Sequence, residues 1–267
     1  MTTTTQSPVA ADPAEIYDRS FVPALFARWG PVVADAAGIG PGDRVLDIAC
    51  GTGALTLACA RRAGPTGTVT GLDANPQMLA VARAKPDAIA WHEGHAEALP
   101  FEDAAFDAVV SQFGMMFFDD IPRAFAEMRR VLAPGGRLAV AVFDAVETAP
   151  GYDVLARLLD HQCGPQTGDA MRAPFVLGDA ARLRATAASE FPDATVTRHD
   201  GHVQFPSVGD LVETEHSCIW TLGGLIDRAQ LGRLRAAAEQ DLHPFVGPDG
   251  SVAFAMPALI VTATKPA

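Results

Sequence analysis

Long uninterrupted hydrophobic segments are missing from this sequence. The two longest apolar runs cover residues 138–143 and 252–263, and the second is broken by Pro257. Both are much shorter than the roughly 20 residues that a helix needs to cross a bilayer. Residues 1–12 also lack the basic start and apolar centre of a signal peptide, and their composition predicts a flexible tail. We therefore expect a protein of the cytoplasm that does not associate with a membrane.

Paired cysteines and an excess of basic charge are also absent. The four cysteines (Cys50, Cys59, Cys163 and Cys218) form no C-x-x-C pair and have no histidine nearby at ligand spacing. This pattern argues against a metal site and against a disulfide framework, and it fits a reducing compartment. Lysine and arginine number 20 against 32 aspartates and glutamates, a net charge of −12. Such a chain has little basic surface for a phosphate backbone, so nucleic acid is not an expected partner.

The central feature of the sequence is a strand followed by a glycine turn and a helix. Residues 44–48 read R-V-L-D-I, an apolar run typical of a buried parallel strand. Gly51 and Gly53 follow, where a ligand can approach the backbone closely, and residues 54–62 continue as a helix. Asp47 places a carboxylate beside this turn, so the pattern predicts a binding site for a nucleotide cofactor.

Two classes of nucleotide cofactor are bound at such a turn. Dinucleotide sites have the pattern G-x-G-x-x-G, but Thr56 occupies the position of the third glycine here. The Asp47 carboxylate also suits a cationic amine better than a pyrophosphate. Tyr17 and Tyr152 are the only tyrosines, and neither belongs to a Tyr-x-x-x-Lys pair. An NAD(P)-dependent oxidoreductase therefore stays open only as a disfavoured alternative.

Strands and helices alternate after the turn. A strand over residues 68–73 ends at Asp73, about 20 residues after Gly53, where a carboxylate can accept hydrogen bonds from both ribose hydroxyls. Apolar runs of strand length predict five further strands, at residues 89–93, 106–113, 137–143, 194–205 and 252–263. Helical periodicity predicts a helix over residues 121–132.

From about residue 40 to residue 143, these segments resemble the core of the class I S-adenosylmethionine (SAM) dependent methyltransferases. Asp47, Gly51 and Gly53 match the E/D-x-x-x-G-x-G motif of that family, and the loop G-H-A-E-A-L-P-F and the turn L-A-P-G-G have counterparts there. The core is most similar to the ubiquinone/menaquinone-biosynthesis-type methyltransferases. The resemblance implies an α/β fold: a doubly wound, seven-stranded, mostly parallel Rossmann-like sheet with helical cap insertions and an antiparallel final strand.

The same resemblance implies the organisation and activity of the chain. It predicts one methyltransferase domain over residues 13–267, with cap helices from residues 13–37, 147–192 and 207–242. The expected reaction transfers a methyl group from SAM to O, N or C of a small-molecule acceptor and leaves S-adenosylhomocysteine. A protein that binds SAM without methyl transfer, or uses it for another reaction, is the alternative. Monomer and homodimer both stay open.

The resemblance also implies which residues form the site. His95 replaces an acid that accepts from the adenine amine in the family, and a neutral imidazole can still accept there. The residues expected at the cofactor are Tyr17, Asp47, Cys50, Gly51, Gly53, Asp73, Ala74, Met78, His95, Ala96, Glu97, Gln112 and Phe113. Those expected at the acceptor are Phe21, Trp29, Met116, Phe117 and Phe118.

A general base would help the methylation of a hydroxyl or a carbon acid. His161 and His216 lead the candidates because both fall on predicted cap helices, ahead of His202 and His243. No acidic set suggests a metal-dependent mechanism. Binding and alignment of the two substrates are expected to supply most of the catalysis.

Overall fold

A computed structural model describes residues 12–85, 88–218 and 222–267. Of the expected tail over residues 1–12, only Asp12 lies within these ranges. Its side chain accepts a hydrogen bond from the backbone N–H of Ala14 at 2.9 Å and caps the first helix.

A twisted seven-stranded sheet forms the centre of the molecule, which confirms the expected fold. The strands stand in the order β3-β2-β1-β4-β5-β9-β6, and β9 alone runs antiparallel to both of its neighbours. The strands are β1 (Arg44–Ile48), β2 (Thr68–Asp73), β3 (Ala90–Glu93), β4 (Phe106–Gln112), β5 (Leu132–Phe143), β6 (Thr195–His199), β7 (His202–Phe205), β8 (Val252–Ala255) and β9 (Ala258–Thr264). Residues 45–48 of β1 and 108–111 of β4 are all buried, as expected of central strands that are covered on both faces, and most of them are apolar.

Helices cover both faces of the sheet and one end of it. They are α1 (Pro13–Ile16), α2 (Trp29–Ala36), α3 (Ala54–Ala63), α4 (Pro76–Arg83), α5 (Ile121–Val131), α6 (Pro150–Cys163), α7 (Pro165–Arg172), α8 (Ala180–Ala188), α9 (Val208–Ser217) and α10 (Arg228–Asp241). A π-helical segment, Tyr17–Phe26, continues α1, and it closes with an i to i+5 hydrogen bond from the N–H of Ala27 to the carbonyl of Val22. Such wide turns are frequent at functional sites.

Two predicted strands are each divided in the structure. The run 194–205 breaks at Gly201 into β6 and β7, and the run 252–263 breaks at Pro257 into β8 and β9. Strand β7 from the first run pairs with strand β8 from the second run, and together they form a separate two-stranded sheet. The two breaks lie against each other, since the N–H of Met256 donates to the carbonyl of Gly201 at 2.8 Å. The close approach of the two backbones explains why the strands end there.

The predicted cap insertion over residues 147–192 is only partly a cap. Helices α6 and α7 pack together beside α10, but α8 packs against α5, β6 and β9 on one face of the sheet. Leu183, Ala187 and Phe191 bury their side chains in that layer. The amphipathic pattern of α8 has the same helical period whether the helix covers the sheet or forms part of a cap. The sequence alone therefore does not distinguish the two positions.

Candidate functional site

A cavity of about 520 Å³ opens at the carboxyl ends of β1, β2 and β4. Ligands bind at this edge of open α/β sheets, where the strand order reverses. Its lining includes every residue that the sequence suggested for the cofactor except Gly53, and also Phe21, Phe117 and Phe118 from the acceptor set. Segments that are distant in the sequence therefore meet around one cavity.

The glycine turn after β1 is held by Asp73 at the end of β2. The N–H of Gly51 donates to one carboxylate oxygen of Asp73 at 2.7 Å, and the N–H of Asn75 donates to the other at 2.8 Å. Burial raises the pKa of Asp73 although these two hydrogen bonds act in the opposite direction. Gly51 has φ +56°, and the nearest atom to a Cβ placed there is Cε1 of Tyr17, 4.0 Å away. The turn thus leaves space for a ligand against its backbone.

Asp47 lies at the floor of the cavity and is completely buried. Its Oδ2 accepts a hydrogen bond from the Thr56 hydroxyl at 2.6 Å, and its Oδ1 has no partner within the described ranges. Burial raises the pKa of Asp47 to about 7, and the Thr56 hydrogen bond partly offsets this effect. A buried carboxylate oxygen without a partner is costly, and a cationic donor would satisfy it.

Two residues at the strand ends carry strained backbone. Ala49 and Phe113 both have positive φ, 55° and 54°, which non-glycine residues rarely adopt. Gly114 follows Phe113 and lies against Ala49, because a Cβ at Gly114 would overlap the Cβ of Ala49. Strain of this kind concentrates at binding sites. Here it turns the ends of β1 and β4 toward the same cavity.

The N-terminal segment forms one wall of the cavity. The ring of Tyr17 stacks on Phe26 with centroids 5.1 Å apart and contacts Phe21 at 5.9 Å. Burial, and after it the nearby acidic groups, raises the pKa of Tyr17 well above its usual range. Lys85 connects this wall to the glycine turn. Its Nζ donates to the Asp18 carboxylate at 2.7 Å and to the carbonyl of Thr52 at 2.6 Å. The wall and the glycine turn are therefore linked through one ammonium group.

The other half of the cavity is aromatic and apolar. Phe113 and Phe143 stack in parallel with centroids 4.1 Å apart, and Phe175 contacts Phe143 at 5.4 Å. Tyr152, Met171, Glu215 and Met256 complete this part of the lining. Among the residues that the structure describes, no lysine or arginine lines the cavity. The site thus suits apolar or cationic molecules better than anionic ones.

Three residues that the sequence suggested lie outside the lining. Gly53 begins α3 with φ +92°, and a Cβ there would lie 2.6 Å from the Trp91 ring. A glycine is thus required there for packing, whereas the ligand side of the turn belongs to Gly51. Trp29 is 2% exposed and packs edge-on against Phe113. Met116 packs between the two core clusters.

The histidines suggested as general bases do not line the cavity. His161 is exposed on α6, and His216 is half-buried on α9. The Nδ1 atom of His216 is buried and has no partner in the described part of the chain. Neither imidazole is placed at the cavity wall, so neither candidate is supported by the structure.

Sequence reasoning missed three polar residues of the site: Thr56, Lys85 and Glu215. The glycine pattern identifies Thr56 only as the position that lacks a third glycine. Glu215 carried a usable signal, since it lies at the helical spacing of Val208, Leu211 and Val212, where a buried apolar side chain is expected. Lys85 gave no signal, because its partners come from two distant segments.

Within residues 12–85, 88–218 and 222–267, no group of histidine, cysteine or acidic side chains could hold a metal ion. No helix in those ranges is both long enough and apolar enough to cross a membrane.

Known proteins share this core. A family model described as a methyltransferase domain matches residues 45–136. A demethylmenaquinone methyltransferase of Thermus thermophilus is 47% identical over 120 residues, 43% of this chain and 54% of that protein. A 2-phytyl-1,4-naphtoquinone methyltransferase of Trichormus variabilis is 40% identical over 121 residues, 43% of this chain and 53% of that protein. The chain spans about half the length of these curated relatives.

Solved structures show a similar fold over most of the chain. The YcgJ protein of Bacillus subtilis has a TM-score of 0.60 at 18% identity, covering 90% of this chain and 99% of its own. An arsenic(III) SAM methyltransferase of Chlamydomonas reinhardtii has a TM-score of 0.51 at 22% identity, covering 86% of this chain and 65% of its own. At these identities the structural matches establish the fold alone.

The strand order, the position of the cavity and these matches together define a Rossmann-like methyltransferase fold. Residues 45–136 of the chain match a methyltransferase domain, and its core resembles that of the SAM-dependent methyltransferases of quinone biosynthesis.

Proposed function

We propose that this chain transfers a methyl group from SAM to O, N or C of a small, largely apolar acceptor. One observation carries the proposal: a single cavity joins the carboxylates at the glycine turn to an aromatic compartment. The first part suits a nucleoside with a cationic amine, and the second suits an apolar acceptor close to it. A site for SAM alone would not need the second compartment.

The residues present fit SAM at the glycine turn. The unpartnered Oδ1 of Asp47 is placed to accept from the ammonium group. Each carboxylate oxygen of Asp73 accepts one backbone N–H and retains a lone pair for a ribose hydroxyl. Met78, which is 3% exposed, would pack on the adenine, and His95 and Ala96 would accept from and donate to its edge.

The chain contributes mainly alignment and exclusion of water. SAM supplies a methyl group on a positively charged sulfur, whose leaving group is a neutral thioether. The stacked pair Phe113 and Phe143 borders the place where the two substrates would meet, and Phe26 packs against both rings. Aromatic faces stabilise a nearby cation, and a fixed geometry lowers the entropic part of the barrier.

The acceptor proposed here is a small aromatic molecule of the quinol kind. The names of the relatives, methyltransferases of demethylmenaquinone and of 2-phytyl-1,4-naphtoquinone, support this class. The absence of lysine and arginine from the described lining agrees with an uncharged ring system. We further propose one domain over residues 13–267, whose cap is formed by the N-terminal helices and by α6, α7, α9 and α10, acting in the cytoplasm.

The test begins with calorimetric titration of the purified protein with SAM, S-adenosylhomocysteine and NADH. Micromolar binding of the two sulfur nucleosides without NADH binding is expected. Incubation with SAM and 1,4-naphthoquinol should then release S-adenosylhomocysteine and give a methylated product by mass spectrometry. Binding of NADH alone would contradict the proposal, and nucleoside binding without product from any small aromatic acceptor would favour the fold without methyl transfer.

A further inference from the structure

A glutamate and a tyrosine in the aromatic half of the cavity are not among the residues assigned to the cofactor. Glu215 is 2% exposed and Tyr152 is 3% exposed, and both line the cavity. The Tyr152 hydroxyl lies near the Glu215 carboxylate. Burial, and after it the charge of Glu215, raises the pKa of Tyr152 well above its usual range. The tyrosine therefore keeps its proton beside the carboxylate.

Packing fixes both side chains. Glu215 lies on the buried face of α9, and Ser207 caps that helix by accepting from the N–H of Asp210 at 3.0 Å. The Tyr152 ring is held between Phe175, at 5.7 Å, and Phe254, at 5.5 Å in an edge-to-face contact. A side chain held in this way keeps its orientation when a ligand enters.

Glu215 differs in position from the other acidic residues that line the cavity. Asp47 and Asp73 lie at the glycine turn, and Glu97 accepts from the backbone N–H of Asp119 at 2.9 Å. Glu215 is the lining acid on the cap side of the cavity, beside aromatic rings and the sulfur of Cys218. A carboxylate at the wall of the cavity can accept a hydrogen bond from a ligand that occupies the cavity.

We propose that Glu215, beside Tyr152 in the lining of the cavity, binds the acceptor through an O–H or N–H group and accepts its proton during methylation. The inference rests on the methyl transfer proposed above. The lone pair of the acceptor oxygen or nitrogen forms the bond to the methyl carbon. The electrons of the carbon–sulfur bond pass to sulfur, and the proton passes to a carboxylate oxygen of Glu215 and then to solvent. The acceptor class is thereby narrowed to apolar molecules with a hydroxyl or an amine.

The experiment compares acceptor probes with and without a hydrogen-bond donor on protein saturated with S-adenosylhomocysteine. The probes are 1-naphthol, its donor-free analogue 1-methoxynaphthalene, and 2-phenylethylamine. Wild-type protein should bind 1-naphthol or the amine at least about tenfold more tightly than the methoxy compound, the effect of one hydrogen bond to a charged group. The stronger of the two protic probes identifies whether the acceptor is a hydroxyl or an amine compound.

Glu215→Gln should remove this preference and lower the rate of methyl transfer to the better probe. Its affinity for S-adenosylhomocysteine should stay within about twofold of the wild type, since the carboxylates assigned to the cofactor are Asp47 and Asp73. Tyr152→Phe should weaken the preference in the same direction. The control is Glu213→Gln, which changes the same residue type on the same helix outside the cavity lining. It should leave probe binding and turnover unchanged.

The outcomes separate the two proposals. Failure of the wild type to bind S-adenosylhomocysteine would contradict the methyltransferase function itself. If the cofactor binds normally but the wild type shows no preference for a protic probe, the role of Glu215 is overturned. An equal loss of affinity for 1-naphthol and 1-methoxynaphthalene in Glu215→Gln also overturns it, because it would show a change of shape rather than a lost hydrogen bond.

Discussion

The Thr56 hydroxyl donates a hydrogen bond to the Asp47 carboxylate across 2.6 Å, and both side chains are buried beneath the glycine turn. Thr56 occupies the position at which a dinucleotide site has its third glycine. In this protein its side chain holds the Asp47 carboxylate instead. Thr56 holds one oxygen of Asp47, and the other is left for a ligand. The first two predictions concern this pair.

Asp47→Asn should stabilise the ligand-free protein and abolish SAM binding. The pKa of Asp47 is about 7 in the folded state and about 3.9 in an unfolded chain, so the folded state binds more protons between these values. The free energy of unfolding therefore falls as pH rises through this window and stays low above it. At pH 8 the variant should gain as much as about 4 kcal/mol, at about 1.4 kcal/mol per pKa unit.

Chemical denaturation at pH 5 and pH 8 measures this gain, which should be larger at pH 8. Calorimetry with S-adenosylhomocysteine should detect no binding. Asp241→Asn, at an exposed aspartate on α10, serves as the control and should change neither quantity. Wild-type affinity in Asp47→Asn would show that the ligand ammonium does not contact this carboxylate.

Thr56→Val should shift the pH dependence of cofactor binding upward. Binding through an ionised Asp47 should weaken about tenfold per pH unit below the pKa, which is about 7 in the wild type. Loss of the Thr56 hydrogen bond raises that pKa further, so affinity should begin to fall at a higher pH. Titrations with S-adenosylhomocysteine from pH 5.5 to 9 test this, with Thr186→Val on the surface of α8 as control. A pH profile identical to that of the wild type would refute the coupling.

Lys85→Met should weaken cofactor binding without unfolding the protein. The ammonium group links Asp18 in the N-terminal wall to the carbonyl of Thr52, and both ends of the pair are partly exposed. Loss of such a pair costs up to about 1 kcal/mol, or about fivefold in affinity. Calorimetry and a thermal melt separate the two effects. Arg157→Gln, which breaks an ion pair within α6, should not change affinity.

His95→Asp should maintain or strengthen the binding of S-adenosylhomocysteine. His95 lines the cavity at the position where the family has an acid, and a carboxylate is a stronger acceptor for an amine than a neutral imidazole. His92→Asp, a control on β3 outside the lining, should have no effect on affinity. A large loss in His95→Asp alone would mean that the imidazole has its own role, such as contact with the acceptor.

Much of the site could be predicted because its cofactor half is encoded locally. Asp47, Gly51 and Asp73 lie in strand, turn and strand-end patterns that can be read from a few neighbouring residues, and the structure places all three around one cavity. The acceptor half could not be predicted in this way. Phe143, Tyr152 and Glu215 come from separate segments, and hydrophobic periodicity predicts that a helix has a buried face without specifying what lies opposite that face.

The sequence by itself indicated the core strands and the glycine turn, because each depends on short-range periodicity and turn chemistry. Its resemblance to a known family implied the doubly wound sheet. The tertiary structure decided which side of the turn faces the ligand, and it assigned Gly53 and Trp29 to packing rather than to binding. It also brought Lys85 to Thr52 and Tyr152 to Glu215. Contacts of this kind arise only when distant segments pack, since the path of the chain in space, rather than the local pattern, sets which polar atoms meet.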